Sequence, residues 1–136
     1  MAQSIVIIKS DTAMSLSGRD LLSYDVAVDD RLDVCVRITG NTRSGKFNRR
    51  WIALKDIWAA LAQAPSEDNV RAAHLAELLR GTSRNTAHFV LAILRHEKLV
   101  GRSPVHRRRY KRAAWNAVTA WANALTQEAR ANLAVA

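Results

Sequence analysis

One cysteine, Cys35, is the only thiol in this chain of 136 residues. No internal disulfide can therefore form, and no metal-ligand cluster surrounds it. It stands in an apolar, strand-like run and reads as a small buried hydrophobe. No apolar run approaches the roughly 20 residues that a membrane span needs. The start, Met-Ala-Gln-Ser-Ile-Val-Ile-Ile-Lys-Ser, lacks the charged region and long apolar core of a signal peptide. These absences predict a cytoplasmic, nucleoid-associated protein with no membrane partner. Patterns that carry chemistry are also missing. His74, His88, His96 and His106 show no H-E-x-x-H spacing. No glycine pattern of a phosphate loop or dinucleotide site is present, and Cys35 has no histidine at a catalytic spacing. Asp29, Asp30 and Asp33 could suggest a divalent-metal site, but without a second motif they read as a solvated turn. The expectation is no enzyme, no cofactor and no metal.

Acidic residues are scarce as well. Twelve Asp and Glu face 21 Lys and Arg, giving a formal net charge of +9. The imbalance is uneven: residues 1–36 hold six acids against three bases, and residues 37–136 hold eighteen bases against six acids. A basic portion this dense suits a polyanion partner, because neutralised phosphates release counterions. A charge that serves solubility alone would be less clustered. The hydrophobic fraction of 49% is sufficient for a core.

The apolar pattern changes period near residue 54. Before it, residues 5–8 form a β-branched run, and residues 24–28 and 32–39 alternate with period 2, as half-buried strands do. A short helix is expected near Arg19 and Leu22. Residues 40–45 carry turn chemistry, and residues 47–53 read as a returning strand. From Leu54 the spacing becomes helical: Leu54, Ile57, Trp58 and Leu61 fall on one face. A second helix is expected over residues 69–80, closed by Gly81, and a third over 84–98, capped by Thr82 or Ser83. Residues 99–100 and 105–110 flank Arg102-Ser103-Pro104 as a short β-ribbon. An alanine-rich helix over about 113–133 ends the chain, with Trp115, Val118, Ala122 and Leu125 at helical spacing. The reading is α+β: a β-rich unit over residues 1–53, then a helical unit with a ribbon over 54–136.

The stretch Leu75-Ala76-Glu77-Leu78-Leu79-Arg80-Gly81-Thr82-Ser83-Arg84-Asn85-Thr86-Ala87 resembles the helix-turn-helix core of winged-helix regulators. Those families place a small residue early in the second helix, a glycine at the turn, and Ser-Arg-x-Thr at the start of the recognition helix. Leu91, Leu94, Leu99 and Val100 extend the likeness, which covers about 40 residues at superfamily level. It implies a winged helix-turn-helix core with an N-terminal β-rich unit and a long C-terminal helix. It also implies double-stranded DNA as partner, with helix 84–98 in the major groove and the wing 100–112 on the backbone or minor groove. Two departures stand out. Arg80 adds a residue before Gly81. Phe89 and Ile93 put an apolar ridge where such regulators expose polar residues. Thymine methyls could meet that ridge, but packing on the N-terminal unit or a second subunit is favoured because large apolar groups seek burial.

Candidate contacts follow. Ser83 and Thr86 offer hydroxyls beside the free amides of a helix start, which favour an anion. Arg84 and Asn85 are types that bond guanine and adenine edges, and His88 lies one turn on. In the ribbon, His106-Arg107-Arg108-Arg109-Tyr110-Lys111-Arg112 concentrates positive charge. Strict alternation would put Arg107, Arg109 and Lys111 on one face, and His106, Arg108 and Arg112 on the other. Arg102 and Pro104 sit near its tip, where arginine can enter a narrow minor groove. Arg43, Lys46, Arg49 and Arg50, with Phe47 and Trp51 between them, could extend the footprint or stack on single strands. The alanine face of the last helix, or the acidic N-terminal unit, could support a homodimer. Three functions remain open: a sequence-specific transcriptional regulator; an accessory or architectural DNA-binding component of a replication, partition or mobile-element transfer assembly; and an RNA-binding or protein-interaction module.

Overall fold

Leu22, Tyr24, Val26 and Val28 alternate along β2 (Leu21–Asp29), and all four lie in the core. They build the centre of an antiparallel sheet in the computed structural model, which describes residues 5–42 and 49–135 without the side chains of Arg84 and 132–135. The strands β1 (Ile5–Met14), β2, β3 (Val34–Asn41) and β4 (Ile52–Ala53) follow one another across the sheet. Residues 43–48, which include Arg43, Lys46 and Phe47, lie outside the described residues. Three helices follow among the described residues: α1 (Leu54–Leu61), α2 (Arg84–His96) and α3 (Trp115–Val135). A short hairpin of β5 (Val100–Arg102) and β6 (Tyr110–Arg112) separates the last two. The molecule is thus mixed α+β with a C-terminal helix. Among the described residues, no helix is long and apolar enough to cross a membrane.

The first strand is longer than the apolar run 5–8 predicts. A bulge between Ile7 and Lys9 shifts the register, so that Lys9, Asp11 and Ala13 pair with Val26, Tyr24 and Leu22. These positions face the helices. Lys9 and Asp11 are accommodated there because they meet the polar C-terminal end of α2. The Lys9 ammonium lies 2.8 Å from the Glu97 carboxylate, whose side chain is only 5% exposed. The Tyr24 hydroxyl donates to the same carboxylate. His96 stands 3.2 Å from Asp11, and Arg95 donates to the carbonyls of Met14 and Ser15. The helix expected near Arg19 is instead the turn that joins β1 to β2, with Gly18 at φ 76°.

On the opposite face of the sheet Asp25, Ala27 and Cys35 are buried, while Ser10, Thr12 and Met14 are exposed. Val34, Cys35 and Val36 are all in the interior, so β3 is not the half-exposed strand its alternation suggests. Asp25 is buried on that face, where it accepts from Ser10 at 2.6 Å and from Arg37 at 3.1 Å. Arg37 in turn lies over the Trp51 ring at 4.4 Å. Burial pushes the Cys35 thiol up to about 11, with the nearby Asp29 and Asp33 adding to the effect. Asp29 accepts the N–H groups of Arg31 and Asp33, both at 2.9 Å, and so shapes the turn between β2 and β3.

In the helical layer, Leu54, Ile57, Trp58 and Leu61 bury one face of α1, as their spacing predicts. The expected second helix is shorter. Only Ala72–Leu75 form a 3₁₀ turn, and residues 76–82 continue as turns. Gly81 adopts φ 88°, a conformation that costs glycine little. The central helix α2 contacts β1 and β2 on one side and the 3₁₀ turn on the other. Its residues Phe89, Val90, Leu91, Ala92, Ile93 and Leu94 are consequently all buried. Six consecutive apolar residues leave that stretch of the helix no polar side, which suits the inside of a fold. The helix ends two residues short of the expected 98. The Leu99 amide reaches back to Leu94 and the Lys98 amide to Arg95, with Lys98 at φ 64°. That pair of bonds closes the helix and turns the chain into β5. The last helix lies along the sheet, with Val118 and Ala129 buried and Trp115 exposed. One hydrophobic core joins the sheet to all three helices, across the boundary at residue 53.

Candidate nucleic-acid interface

Tyr110 organises the basic segment. Its N–H donates to Val70 at 2.8 Å and its carbonyl accepts from Val70 at 2.9 Å. Val70 thus adds a single-residue bridge beside β6, and β6 pairs with β5. The hairpin base is tied to the core through buried Val70 and Val100, while the loop 103–109 projects from it. Ser103 shapes the loop: its hydroxyl accepts from the amides of Val105 and His106, the latter at 2.9 Å. The Ser103 amide donates to the Arg109 carbonyl at 3.0 Å. Residues 105–109 are therefore turn rather than the strand expected there, and Arg108 sits in the left-handed region at φ 61°.

This backbone breaks the alternation expected of the basic run. Arg108 and Arg109 both line one cleft, with Tyr110 beside them. Its other walls come from the helical turn region. The first turn of α2 contributes Ser83, Ala87 and His88, and the preceding segment contributes Arg71, Arg80 and Thr82. Of the residues singled out from sequence, Ser83, His88, Arg108 and Arg109 are brought together here. Arg102, Lys111 and Arg112 line a second groove on the other flank of the hairpin, with Arg95 and Lys98. Arg102 and Lys111 are exposed, as are His106 and Arg107 in the loop. His106 stands 3.7 Å from Asp68.

Two candidates are corrected. Thr86 is fully buried, and its hydroxyl finds no hydrogen-bond partner among the described residues. It points into the core because it lies on the face of α2 that also carries Val90 and Leu94. Arg112 is held inward: its guanidinium donates to the carbonyls of Leu61 at 3.2 Å and Ser66 at 3.4 Å. It completes the C-terminal end of α1, where free carbonyls attract a cation. Arg50 donates to the Leu78 carbonyl, which ties the segment before β4 to the turn region. Arg49 is exposed, and Trp51 is engaged by Arg37 rather than left open for stacking on bases. Asn85 is exposed on the first turn of α2, and the helix also carries Arg84 there.

Phe89 is 7% and Ile93 1% exposed. The ridge they form packs inside the molecule, which leaves no apolar surface there for thymine methyls. With Ala92 also buried and Arg95 bonded to the β1–β2 turn, the sheet covers the second half of α2. The first turn, as far as His88, remains open, and at the far end His96 is exposed beside Asp11. The run Phe-Val-Leu-Ala-Ile-Leu was the available signal, since six consecutive apolar residues on a helix leave it no polar face.

The electrostatics of this end are positive. No acidic residue lies in the first turn of α2, and Ser83 makes no side-chain cap at its start. The amides there keep the partial positive charge of a helix N-terminus. His74 is held below its ordinary value of 6.5, first by burial and then by Arg71, with Arg109 and Arg112 adding further repulsion. The Asp68 carboxyl is held below the usual range, mainly by the Ser66 hydroxyl, with His106 and Lys111 contributing their charge. Set against protein-family models, curated proteins and solved structures, the chain finds no match in any of the three.

Proposed function

We propose that this protein binds double-stranded DNA in the manner of a winged helix-turn-helix, with the 3₁₀ turn Ala72–Leu75, the turns after it and α2 in the place of the helix-turn-helix and the loop 103–109 in the place of the wing. The reading rests on one observation above the others. The start of α2 and the arginines Arg108 and Arg109 open onto the same cleft. Helix amides and guanidinium groups are the donors that hold phosphate oxygens. Exposed Arg102, Arg107 and Lys111 flank them and would extend the grip along the backbone.

Base reading falls to few side chains. Asn85, His88 and His96 are the exposed groups on the described part of α2, but His96 is paired with Asp11 of β1, which leaves Asn85 and His88 beside Arg84. A regulator draws its discrimination from several base contacts, each worth about 1–3 kcal/mol. This scarcity favours the accessory or architectural DNA-binding component over the sequence-specific regulator. Selection of bound fragments from a random duplex pool, followed by affinity measurement at stated salt, tests both points. The expected result is duplex binding with a strong salt dependence and a preference below about a thousandfold for the best sequence, under the usual range for specific binders. A larger preference restores the regulator. Affinity for RNA hairpins with none for duplex DNA overturns the proposal.

A further inference from the structure

The cleft beside the wing is more than a phosphate grip. Its volume is about 790 Å³, and its lining is largely apolar: buried Ala72, Leu79 and Leu91, with Ala73, Ala76 and Ala87 around them. Leu16 and Ser17, from the turn after β1, lie at its edge. Arg71, Arg80, Arg108 and Arg109 edge the rest with the imidazole of His88, and no carboxylate lines it among the described residues. A duplex carries its charge outside and has no slender apolar part to fill such a hollow. The volume falls within the range of small-molecule sites, which pair an apolar lining with a few placed polar groups.

We infer that this cleft binds a small amphipathic anion, an aryl or acyl carboxylate. Its apolar body would lie on the apolar lining, and its carboxylate would meet Arg108, Arg109 and the start of α2. Charge complementarity selects the class: a cation would meet five basic groups, and a neutral apolar molecule would leave them unused. Arg80 is already paired with Glu77 at 2.6 Å, so Arg108 and Arg109 carry most of the recognition. The ligand occupies the surface assigned above to phosphate, so ligand and duplex exclude one another. That exclusion rests on the duplex-binding reading, and the ligand site itself does not.

The test uses the full chain with 1-pyrenebutyrate as probe and 1-pyrenebutanol as its uncharged counterpart, followed by fluorescence polarisation. The butyrate is expected to bind saturably with one site, and the alcohol about tenfold more weakly, the loss expected for a charge-assisted contact. Replacing Ala76, which is exposed, by tryptophan should abolish butyrate binding while the far-ultraviolet circular dichroism stays unchanged. The double variant Arg108→Ala, Arg109→Ala should weaken the butyrate about tenfold and leave the alcohol unchanged. Equal affinity for acid and alcohol, binding indifferent to Ala76→Trp, or no saturable binding each overturn the site. So does tight capture of an acidic amphipathic peptide with no butyrate binding. A second arm adds a labelled duplex: butyrate should displace it from the wild type but not from Ala76→Trp. Butyrate binding with no duplex binding at all would remove the DNA reading and keep the ligand site.

Discussion

Arg108 occupies a backbone position that suits another residue. Its φ of 61° places it in the left-handed region, which costs a residue with a Cβ about 1–2 kcal/mol. Glycine adopts it freely but loses about 0.5–1 kcal/mol of chain entropy on folding. Arg108→Gly should therefore leave the fold unchanged in stability or raise it by up to about 1.5 kcal/mol. The side chain is exposed, so no packing is lost. Binding should move the other way. Removing one phosphate-neutralising cation should make the slope of log affinity against log salt shallower by about 0.9. An exposed contact of about 1 kcal/mol corresponds to roughly fivefold weaker duplex binding near 0.1 M salt. Urea denaturation gives the first quantity, and polarisation titrations of a labelled duplex at four or five salt concentrations give the second. A glycine variant that binds as tightly as the wild type, with the same salt slope, would show that the charge at this turn is merely solvated. A loss of more than about 2 kcal/mol of stability would show that the loop depends on the arginine side chain, against the strain argument.

Three further outcomes test the architecture. Phe89→Ala should cost about 3–5 kcal/mol of stability, the usual range for emptying a buried aromatic site; a cost below about 1 kcal/mol in urea melts would mean that the sheet does not close over α2. Thr86→Val should stabilise the protein by about 1 kcal/mol, because it removes a buried hydroxyl with no partner. Its duplex affinity should be unchanged, and a clear loss of binding would return Thr86 to the interface. Stability should fall between pH 7 and pH 5 through His74. Its folded value lies below the ordinary 6.5, so the unfolded chain takes up the proton first, and the contribution complete above pH 6.5 is lost as pH falls. His74→Gln should flatten that part of the pH–stability curve, and an identical slope in both proteins would assign the effect elsewhere.

Much of the helical half was legible because its signals are local. The spacing of Leu54, Ile57, Trp58 and Leu61 requires only a helix and one apolar neighbour to become a buried face. Gly81 before Thr-Ser marks the turn into α2, since positive φ is cheap only for glycine. The basic run 106–112 is visible in any reading, and most of it is exposed. Local pattern failed where a residue's surroundings come from distant chain. Lys9 and Asp11 extend β1 inward because Glu97 and His96 wait at the end of a helix some 85 residues away. The sequence places Arg112 among the DNA contacts, yet the carbonyls it satisfies belong to Leu61 and Ser66. Alternation in the ribbon was a fair expectation for a strand, and the left-handed turn at Arg108 cancels it.

Composition, charge placement and periodicity determined by themselves that strands precede helices, that the positive charge gathers in the second half, and that a cationic segment lies between two helices in the chain. These properties depend on neighbours within a few residues, and pattern records them. Only the tertiary structure decided which half of α2 stays open, that Thr86 and Arg112 turn inward, and that Arg108 and Arg109 share an apolar cleft. Such features arise where the sheet, the turn region and the hairpin meet, and the free energy of that meeting is spread over residues far apart in the chain.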